Sequence, residues 1–182
     1  MKKSEHSRPS IEIIRASLDQ KQILANLLEL YTHDFCEFID REIGPDGRFD
    51  CWDLDLYWTD PDWFPFLIYV DHRLAGFVVI KASHQGALDP RVWDVAEFFI
   101  LRGYRGRGIG TEAAHQIWRR FPGHWEVRVM ASNEPAYRFW HHAIKDFAGD
   151  EFLVNGYNRA GTDWHKFSFE SIAAAEQPVP PA

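Results

Sequence analysis

Cysteine is scarce in this chain, and the two copies present exclude several kinds of site. Cys36 and Cys51 cannot build a disulfide framework, and neither belongs to a CxxC pair. His33 and Glu37 lie on either side of Cys36, but no fourth ligand is evident, so no metal site is predicted. This cysteine usage is typical of proteins from a reducing compartment.

Long apolar runs and runs of basic residues are also absent. The amino-terminal residues MKKSEHSRPS carry positive charge, but no apolar stretch follows them, so we expect neither a secretory signal nor a spanning helix. The chain has 27 acidic and 20 basic residues and a formal charge of -7, without the basic stripe that phosphate backbones require. We therefore expect a cytoplasmic protein that binds neither membranes nor nucleic acid.

The chain has enough apolar sequence for one sizeable core. Its 182 residues are 46% hydrophobic and 15% aromatic, which predicts a single domain. We expect that domain at 11–170, after a flexible amino terminus at 1–10. The last residues, 171–182, include the sequence EQPVPPA, whose composition predicts a disordered tail.

Strands and helices alternate along the chain, which predicts a mixed α/β fold. A strand at 11–17 leads to a helical region that opens on a capping-box pair, Ser17 and Gln20. We expect this region to break near Tyr31 into two helices. The following segment, 43–66, is rich in Asp, Pro and Gly and is interpreted as a functional loop. Four aromatic residues argue against disorder there: Trp52, Tyr57, Trp58 and Trp63.

The later elements are predicted from apolar runs. Strands are expected at 66–70, 74–82, 93–101 and 125–131, and in the late segments EFLVNGY and WHKFSF. The connection at 71–73 indicates a hairpin. The helix after the third of these strands has apolar residues at four-residue spacing: Ile109, Ala113, Ile117 and Phe121. A short helix from about Asn133 has these candidates for its buried side: Ala136, Phe139, Trp140 and Ala143.

Three alternate glycines stand where the strand at 93–101 leads into a helix, in the sequence LRGYRGRGIGTEAA. Glycine lets main-chain N–H groups approach an anion, and a helix amino terminus favours a phosphate. A Walker loop is excluded because the segment has no lysine. A dinucleotide-binding GxGxxG pattern counted from Gly106 would need glycine at Thr111. A glycine-rich turn without a ligand stays open.

The pattern that remains is RxxGxG, formed by Arg105, Gly108 and Gly110, and it resembles the acetyl-CoA-binding motif of the GNAT superfamily of N-acetyltransferases. The resemblance covers 11–169 in the order of its elements. The segments EFFIL, FPGHWEV and SNEPAYRFW are similar to a little-characterised branch of predicted bacterial acetyltransferases. The resemblance implies acetyl-CoA as the cofactor. It also implies a GNAT-like fold, in the order β-α-α-β-β-β-α-β-α-β-β, with splayed central strands.

The same resemblance implies which residues hold coenzyme A. Three residues would bond the pantetheine arm through their main chains: Phe98, Phe99 and Ile100. At least one of the two phenylalanine rings is expected to pack in the core instead of contacting substrate. The motif begins at Arg105, and Gly106 opens the turn. Five residues would offer amides to the pyrophosphate: Arg107, Gly108, Ile109, Gly110 and Thr111.

Two residues near the last helix are also implied in cofactor binding. Asn133 matches the family's asparagine, and its side chain would bond the cofactor or only cap the helix. Trp140 would cover the pantetheine or acyl group as an apolar wall.

Acyl transfer to an amine needs a base for the ammonium proton and an acid for the departing thiolate. Glu97 is the leading base candidate and Glu126 the second, with a solvated strand residue as the alternative for each. Many GNAT enzymes use as acid a tyrosine seven residues after the asparagine. Trp140 stands at that position, and indole cannot donate a proton as phenol does. Tyr137 is the nearest substitute, with packing against the sheet as its alternative role.

Candidate acceptor-binding residues cluster near the end of the first helical region, which in GNAT folds borders the acceptor side: His33, Asp34 and Glu37. Together with Tyr57 and Trp58 they would suit an ammonium-bearing acceptor through charge and cation–π attraction. The alternative is a solvated helix end with a surface ion pair to Arg41.

Three functions from different classes remain. The first is an N-acetyltransferase that moves an acetyl group directly from acetyl-CoA to an amine of a small molecule or peptide, because no GxSxG nucleophile elbow is present. The second is a non-catalytic acyl-CoA sensor, which Trp140 favours. The third is a GNAT scaffold used for interactions. The enzyme is preferred, and a homodimer stays open.

Overall fold

A computed structural model describes residues 9–49, 53–83 and 91–172. The helices are α1 (Lys21–Phe35), α2 (Leu56–Thr59), α3 (Ile109–Arg120) and α4 (Glu134–Ala148). The strands are β1 (Ile11–Arg15), β2 (Trp63–Val70), β3 (Arg73–Ser83), β4 (Val92–Ile100), β5 (Gly123–Met130), β6 (Phe152–Arg159) and β7 (Thr162–Ser171). Cys51, Trp52, residues 1–8 of the predicted flexible terminus and residues 173–182 of the predicted tail lie outside the described residues.

The strands form a mixed seven-stranded sheet in the order β1-β2-β3-β4-β5-β7-β6. β4 and β5 are parallel and pair residues 92–94 with 124–126. The ladders β1–β2, β2–β3, β5–β7 and β6–β7 are antiparallel. This arrangement confirms the predicted α/β class and the predicted order of elements.

The described chain divides into two compact units. The first comprises the described residues of Met1–Lys81 together with Ala96–Ala113, and the second those of Ala82–Val95 together with Ala114–Ala182. The single domain at 11–170 stays a prediction.

In the first unit, α1 is one continuous helix, so the break expected near Tyr31 is wrong. No glycine or proline interrupts residues 21–35, and one apolar face runs along the whole helix. Leu24 and Leu28 are fully buried on that face, in a cluster that includes Leu67 and Phe77. A short 3₁₀ helix at Leu18–Gln20 precedes α1, and the predicted capping box is confirmed at its start, because Gln20 Oε1 accepts a hydrogen bond from the Ser17 backbone N–H at 3.1 Å.

The segment predicted as a loop at 43–66 is more ordered than expected. It contains α2, and β2 already begins at Trp63, which pairs with Lys81 of β3. The hairpin predicted at 71–73 is confirmed, with Asp71 and His72 in left-handed conformations (φ of 48° and 62°). The second helix of the predicted order is therefore α2, not a continuation beyond Tyr31.

A close backbone approach fixes the position of β4 against β3. A Cβ added to Gly76 would lie 2.0 Å from the carbonyl oxygen of Phe99. Just beyond, the Leu101 N–H donates to the Ala75 carbonyl at 2.8 Å. Glycine is the residue that allows two strand backbones to come this close.

The second unit has its own aromatic core, in which Trp118, Trp125 and Phe167 are fully buried. Its last strand reaches Ser171, whose hydroxyl donates to the Trp118 carbonyl at 2.6 Å. The tail predicted from residue 171 therefore begins at least one residue too early, because this buried hydrogen bond holds Ser171 in β7.

Gly76→Ala is expected to destabilise the protein by about 2 kcal/mol or more, because the new methyl group meets backbone that cannot rotate away. Gly103→Ala is the matched control, since a Cβ there would meet no heavy atom within 4 Å. Urea unfolding of both variants measures the difference. Equal stability of the two variants would contradict the close approach.

Candidate active site

The glycine-rich loop leaves the end of β4 and enters α3. Gly106 and Gly108 have φ angles of 71° and 75°, in the left-handed region that glycine adopts without strain. A Cβ added at either position would meet no heavy atom within 4 Å, so the backbone there faces open space. α3 starts at the next residue, Ile109, and the Glu112 N–H donates to the Gly108 carbonyl at 3.0 Å.

The start of α3 supplies backbone donors at this loop. The N–H groups of Ile109, Gly110 and Thr111 belong to the first turn, where an α-helix offers them no internal acceptor. The helix dipole adds partial positive charge at the same end. Arg107 is exposed within the loop. Donors, positive charge and open space together fit an anionic phosphate group.

Arg105, the first residue of the RxxGxG motif, is held by three contacts. Its Nε donates to the Ile100 carbonyl at 2.6 Å, and its Nη2 donates to Asp34 Oδ2 at 2.6 Å. Its guanidinium carbon lies 5.4 Å from the centroid of the Phe99 ring. These contacts tie the start of the loop to β4 and to α1.

Asp34 binds a second arginine as well. Arg102 donates to Asp34 Oδ1 from Nη2 at 2.7 Å and from Nε at 3.2 Å. Burial would raise the pKa of Asp34, but the hydrogen bonds and charges of Arg102 and Arg105 together outweigh it and hold the pKa below its usual value. Both carboxylate oxygens of Asp34 therefore serve arginines, and its contact with an acceptor ammonium stays a prediction.

The other predicted acceptor residues fall into two groups. His33 and Glu37 are exposed at the end of α1. Tyr57 is only 3% exposed and belongs to the core of the first unit. Trp58 donates from Nε1 to the Ala16 carbonyl at 2.9 Å. Tyr57 is thus packed in the core and the indole N–H of Trp58 is used within the fold, while the acceptor contacts of both residues stay predictions.

Glu97, the leading base candidate, is partly buried in β4 and is hydrogen-bonded to the Tyr31 side chain of α1. Burial first, and then the charge and hydrogen bond of Glu97, raise the pKa of Tyr31 well above its usual value. The phenol therefore stays protonated and donates to the carboxylate. This role was not assigned to Tyr31 from the sequence. The signal for it in the sequence was a hydroxyl group on an otherwise apolar face of the helix.

The residues after Glu97 differ in exposure. Phe98 is partly buried, whereas Phe99 and Ile100 are buried. The Phe99 ring packs near Tyr31 and Phe77, with centroid distances of 6.0 and 5.9 Å. Core packing of one of the two phenylalanine rings is thereby confirmed.

In the second unit, two catalytic candidates have partners within the fold. Glu126 Oε1 accepts a hydrogen bond from Lys166 Nζ at 2.6 Å. The Tyr137 ring packs against His165 and Phe167, with centroid distances of 4.8 and 5.3 Å. Glu126 is thus neutralised by an ion pair, and packing against the sheet, the alternative role for Tyr137, is observed.

The two residues of the second unit that are predicted to bind the cofactor, Asn133 and Trp140, also have structural roles within that unit. Asn133 is buried, and its side chain caps α4 by accepting from the Ala136 N–H at 3.0 Å. Trp140 is 7% exposed and lies beside Phe139, with a centroid distance of 4.8 Å. Capping and packing account for these two side chains, although the amide N–H₂ of Asn133 is not needed for the cap.

Within residues 9–49, 53–83 and 91–172, no group of three or more His, Cys, Asp and Glu side chains is arranged to hold a metal ion. None of the helices described there is both long and apolar enough to cross a bilayer.

Together, the mixed sheet and the glycine loop before α3 are features of the acyl-CoA-dependent N-acyltransferase class. The chain belongs to the acetyltransferase (GNAT) family, whose family model matches residues 24–143. It is therefore an enzyme of the acyl-CoA-dependent N-acetyltransferase class. A comparison with curated protein sequences found no significant match.

Solved acetyltransferase structures share the fold. An acetyltransferase from Thermus thermophilus is 15% identical, with a TM-score of 0.64 over 88% of this chain and 97% of that one. Spermidine N-acetyltransferase from Vibrio cholerae, solved with CoA and spermine, is 13% identical, with a TM-score of 0.62 over 88% and 95%. A ribosomal-protein alanine N-acetyltransferase from Escherichia coli is 14% identical, with a TM-score of 0.55 over 93% and 99%. At these identities the likeness concerns the fold alone.

Asp34→Asn is expected to lower stability near pH 7 but not in strong acid. Because the folded pKa of Asp34 is depressed, its contribution is present above the unfolded value of about 3.9 and is lost as the pH falls through the folded value. Urea unfolding at decreasing pH should show that the gap in free energy of unfolding between Asp34→Asn and the unmodified protein becomes smaller. A gap that stays constant into acid would contradict the ion pairs.

Proposed function

We propose that the chain transfers an acetyl group from acetyl-CoA directly to an amine of a small molecule or peptide. The observation that carries the proposal is the pair of left-handed glycines, Gly106 and Gly108, which face open space just before α3. Gly108 occupies the first glycine position of the RxxGxG pattern that begins at Arg105, and Gly106 opens the turn between them. The structural neighbours named for spermidine and for a ribosomal-protein alanine have amine acceptors, which supports an amine here.

The donor site proposed here uses mainly backbone groups. Gly106 opens the turn, and the pyrophosphate is held by amides of the following residues: Arg107, Gly108, Ile109, Gly110 and Thr111. The pantetheine arm is held by main-chain groups of residues 98–100. Since the Ile100 carbonyl already accepts from Arg105, we assign its N–H to this role. When bound, the donor supplies a thioester carbonyl carbon that the amine attacks.

Glu97 is proposed as the base. Its carboxylate takes the proton of the acceptor ammonium, directly or through a water molecule. The Tyr31 hydroxyl donates to Glu97 and restricts the orientation of the carboxylate. Glu126 is less suited, because Lys166 neutralises it. In this assignment, Tyr31 of α1 orients the base on β4.

The acid and the acceptor contacts are less constrained. Tyr137 stays the candidate acid, with water as the alternative, because its ring packing leaves the role of its hydroxyl open. His33 and Glu37 are exposed and are proposed to face the acceptor. Asn133 and Trp140 stay proposals for cofactor binding.

A non-catalytic acyl-CoA sensor is the second candidate function. The observation that favours it is Trp140, which stands at the usual tyrosine position and is buried. Thiol release from acetyl-CoA across a panel of amines separates the two functions. Tight coenzyme A binding without turnover above the hydrolysis blank would favour the sensor.

Gly108→Ala is expected to weaken coenzyme A binding strongly, because alanine at a φ of 75° is strained and its methyl group enters the space before α3. Gly47→Ala is the matched control, with a φ of 76° and no heavy atom near the added Cβ. Each change costs roughly 1–2 kcal/mol of backbone strain. Calorimetric titration with coenzyme A distinguishes them.

The two glycine variants separate loop function from general strain. Weaker binding by Gly108→Ala alone supports the proposed donor site. Equal affinity of both variants and the unmodified protein would contradict it, as would the absence of saturable binding by the unmodified protein.

Glu97→Gln is expected to lower kcat by about 10²–10⁴-fold, the usual contribution of general acid–base catalysis. Coenzyme A affinity should not change. Glu126→Gln, which removes a carboxylate already paired with Lys166, should have a smaller effect. Steady-state thiol release with a competent amine measures both. A larger loss for Glu126→Gln would transfer the base role to Glu126.

A further inference from the structure

We propose that Asp34 is a positioning residue for the coenzyme A loop and that it acts through Arg105; this inference rests on the proposed function. Asp34 binds two arginines: Oδ1 accepts from Arg102 Nη2 at 2.7 Å and Oδ2 accepts from Arg105 Nη2 at 2.6 Å, while Arg102 Nε lies 3.2 and 3.5 Å from the two oxygens. The carboxylate on α1 is therefore an anchor for the segment that leads into the loop.

The Arg105 side chain bonds to two elements at once, and we call this side chain with its two bonds the Arg105 strap. One end of its guanidinium binds Asp34 of α1, and its Nε binds the Ile100 carbonyl at the end of β4. The planar fork of arginine makes both bonds at once, which a lysine ammonium on a flexible stem cannot reproduce in the same geometry. The next residue, Gly106, is the first left-handed glycine of the loop. The strap thus sets where the turn begins.

The benefit to the ligand is preorganisation. If the start of the loop is already fixed, fewer backbone conformations are lost when a pyrophosphate binds to its amides. Without the bond between Arg105 and Asp34, the conformational entropy of the loop would be lost only when the ligand binds, which weakens binding. The guanidinium would also be free to adopt other rotamers, so its position relative to Phe99 would no longer be fixed.

The charge of Asp34 alone would have the opposite effect on coenzyme A binding. Coenzyme A is an anion, so removal of a negative charge near its site should strengthen binding. The ionised groups around the strap are Asp34, Arg102 and Arg105, and Glu37 lies near enough to Arg102 to act on it electrostatically. Weaker binding after the loss of Asp34 can therefore not come from charge alone.

The test is calorimetric titration of coenzyme A into the full chain and four variants: Asp34→Asn, Asp34→Glu, Arg105→Lys and the double variant Asp34→Asn with Arg105→Lys. Asp55→Asn is the matched control, because Asp55 also forms an ion pair that involves α1, with Lys21 Nζ 2.5 Å from its Oδ1. Asp34→Asn and Arg105→Lys should each weaken binding about tenfold, and the double variant no further, since both break one strap. Asp34→Glu should recover part of the affinity.

The outcomes separate this inference from the proposed function. Unchanged or tighter binding by Asp34→Asn, with normal binding by the unmodified protein, would overturn the positioning role alone. Additive losses in the double variant would also overturn it. No binding by the unmodified protein would overturn the proposed function and this inference with it. If Asp34→Asn does not fold, Arg105→Lys, altered at a half-exposed side chain, carries the same test.

Discussion

The end of β4 is fixed by a contact between two backbones. At Gly76 of β3 there is no room for a Cβ against the Phe99 carbonyl. The Leu101 N–H donates to the carbonyl of Ala75, the residue before Gly76. Backbone contacts of this kind cannot relax by changing a rotamer, so they fix position more rigidly than side-chain packing does. The glycine loop, the Arg105 strap and the Glu97–Tyr31 pair all start from this end of the strand.

Two of the carboxylates that the sequence predicts as site residues are already engaged by other groups of the protein. Asp34 serves two arginines, and in the second unit Glu126 is paired with Lys166. Glu97 differs, because a neutral phenol is its hydrogen-bond donor. A neutral donor orients a carboxylate without cancelling its charge, which suits a group that has to accept a proton.

The local structure that the sequence predicted is governed by local chemistry. The glycine-rich turn needed only glycines at alternate positions between a strand and a helix, and the helix cap at Asn133 needed only its place before α4. Family resemblance then supplied the ligand, which spacing alone could not name.

The contacts that the sequence does not predict depend on distant partners. Trp58 bonds to a carbonyl 42 residues away, and Asp34 bonds to Arg102, 68 residues away. Nothing in the segment around Tyr57 predicts that its side chain is buried in the core. Tyr31 stands among apolar residues at helical spacing. That pattern predicts core packing of its ring and indicates no partner for its hydroxyl group. Composition and periodicity carry no information about such long-range pairs.

The amide NMR spectrum of the labelled protein, titrated with coenzyme A, tests the central claim most directly. If the loop before α3 holds the pyrophosphate, the amide signals of Gly106, Gly108 and Gly110 should shift together and saturate. Pantetheine, which lacks the pyrophosphate, should leave these three signals in place. Saturable binding of coenzyme A that moves other amides but not these glycines would contradict the claim.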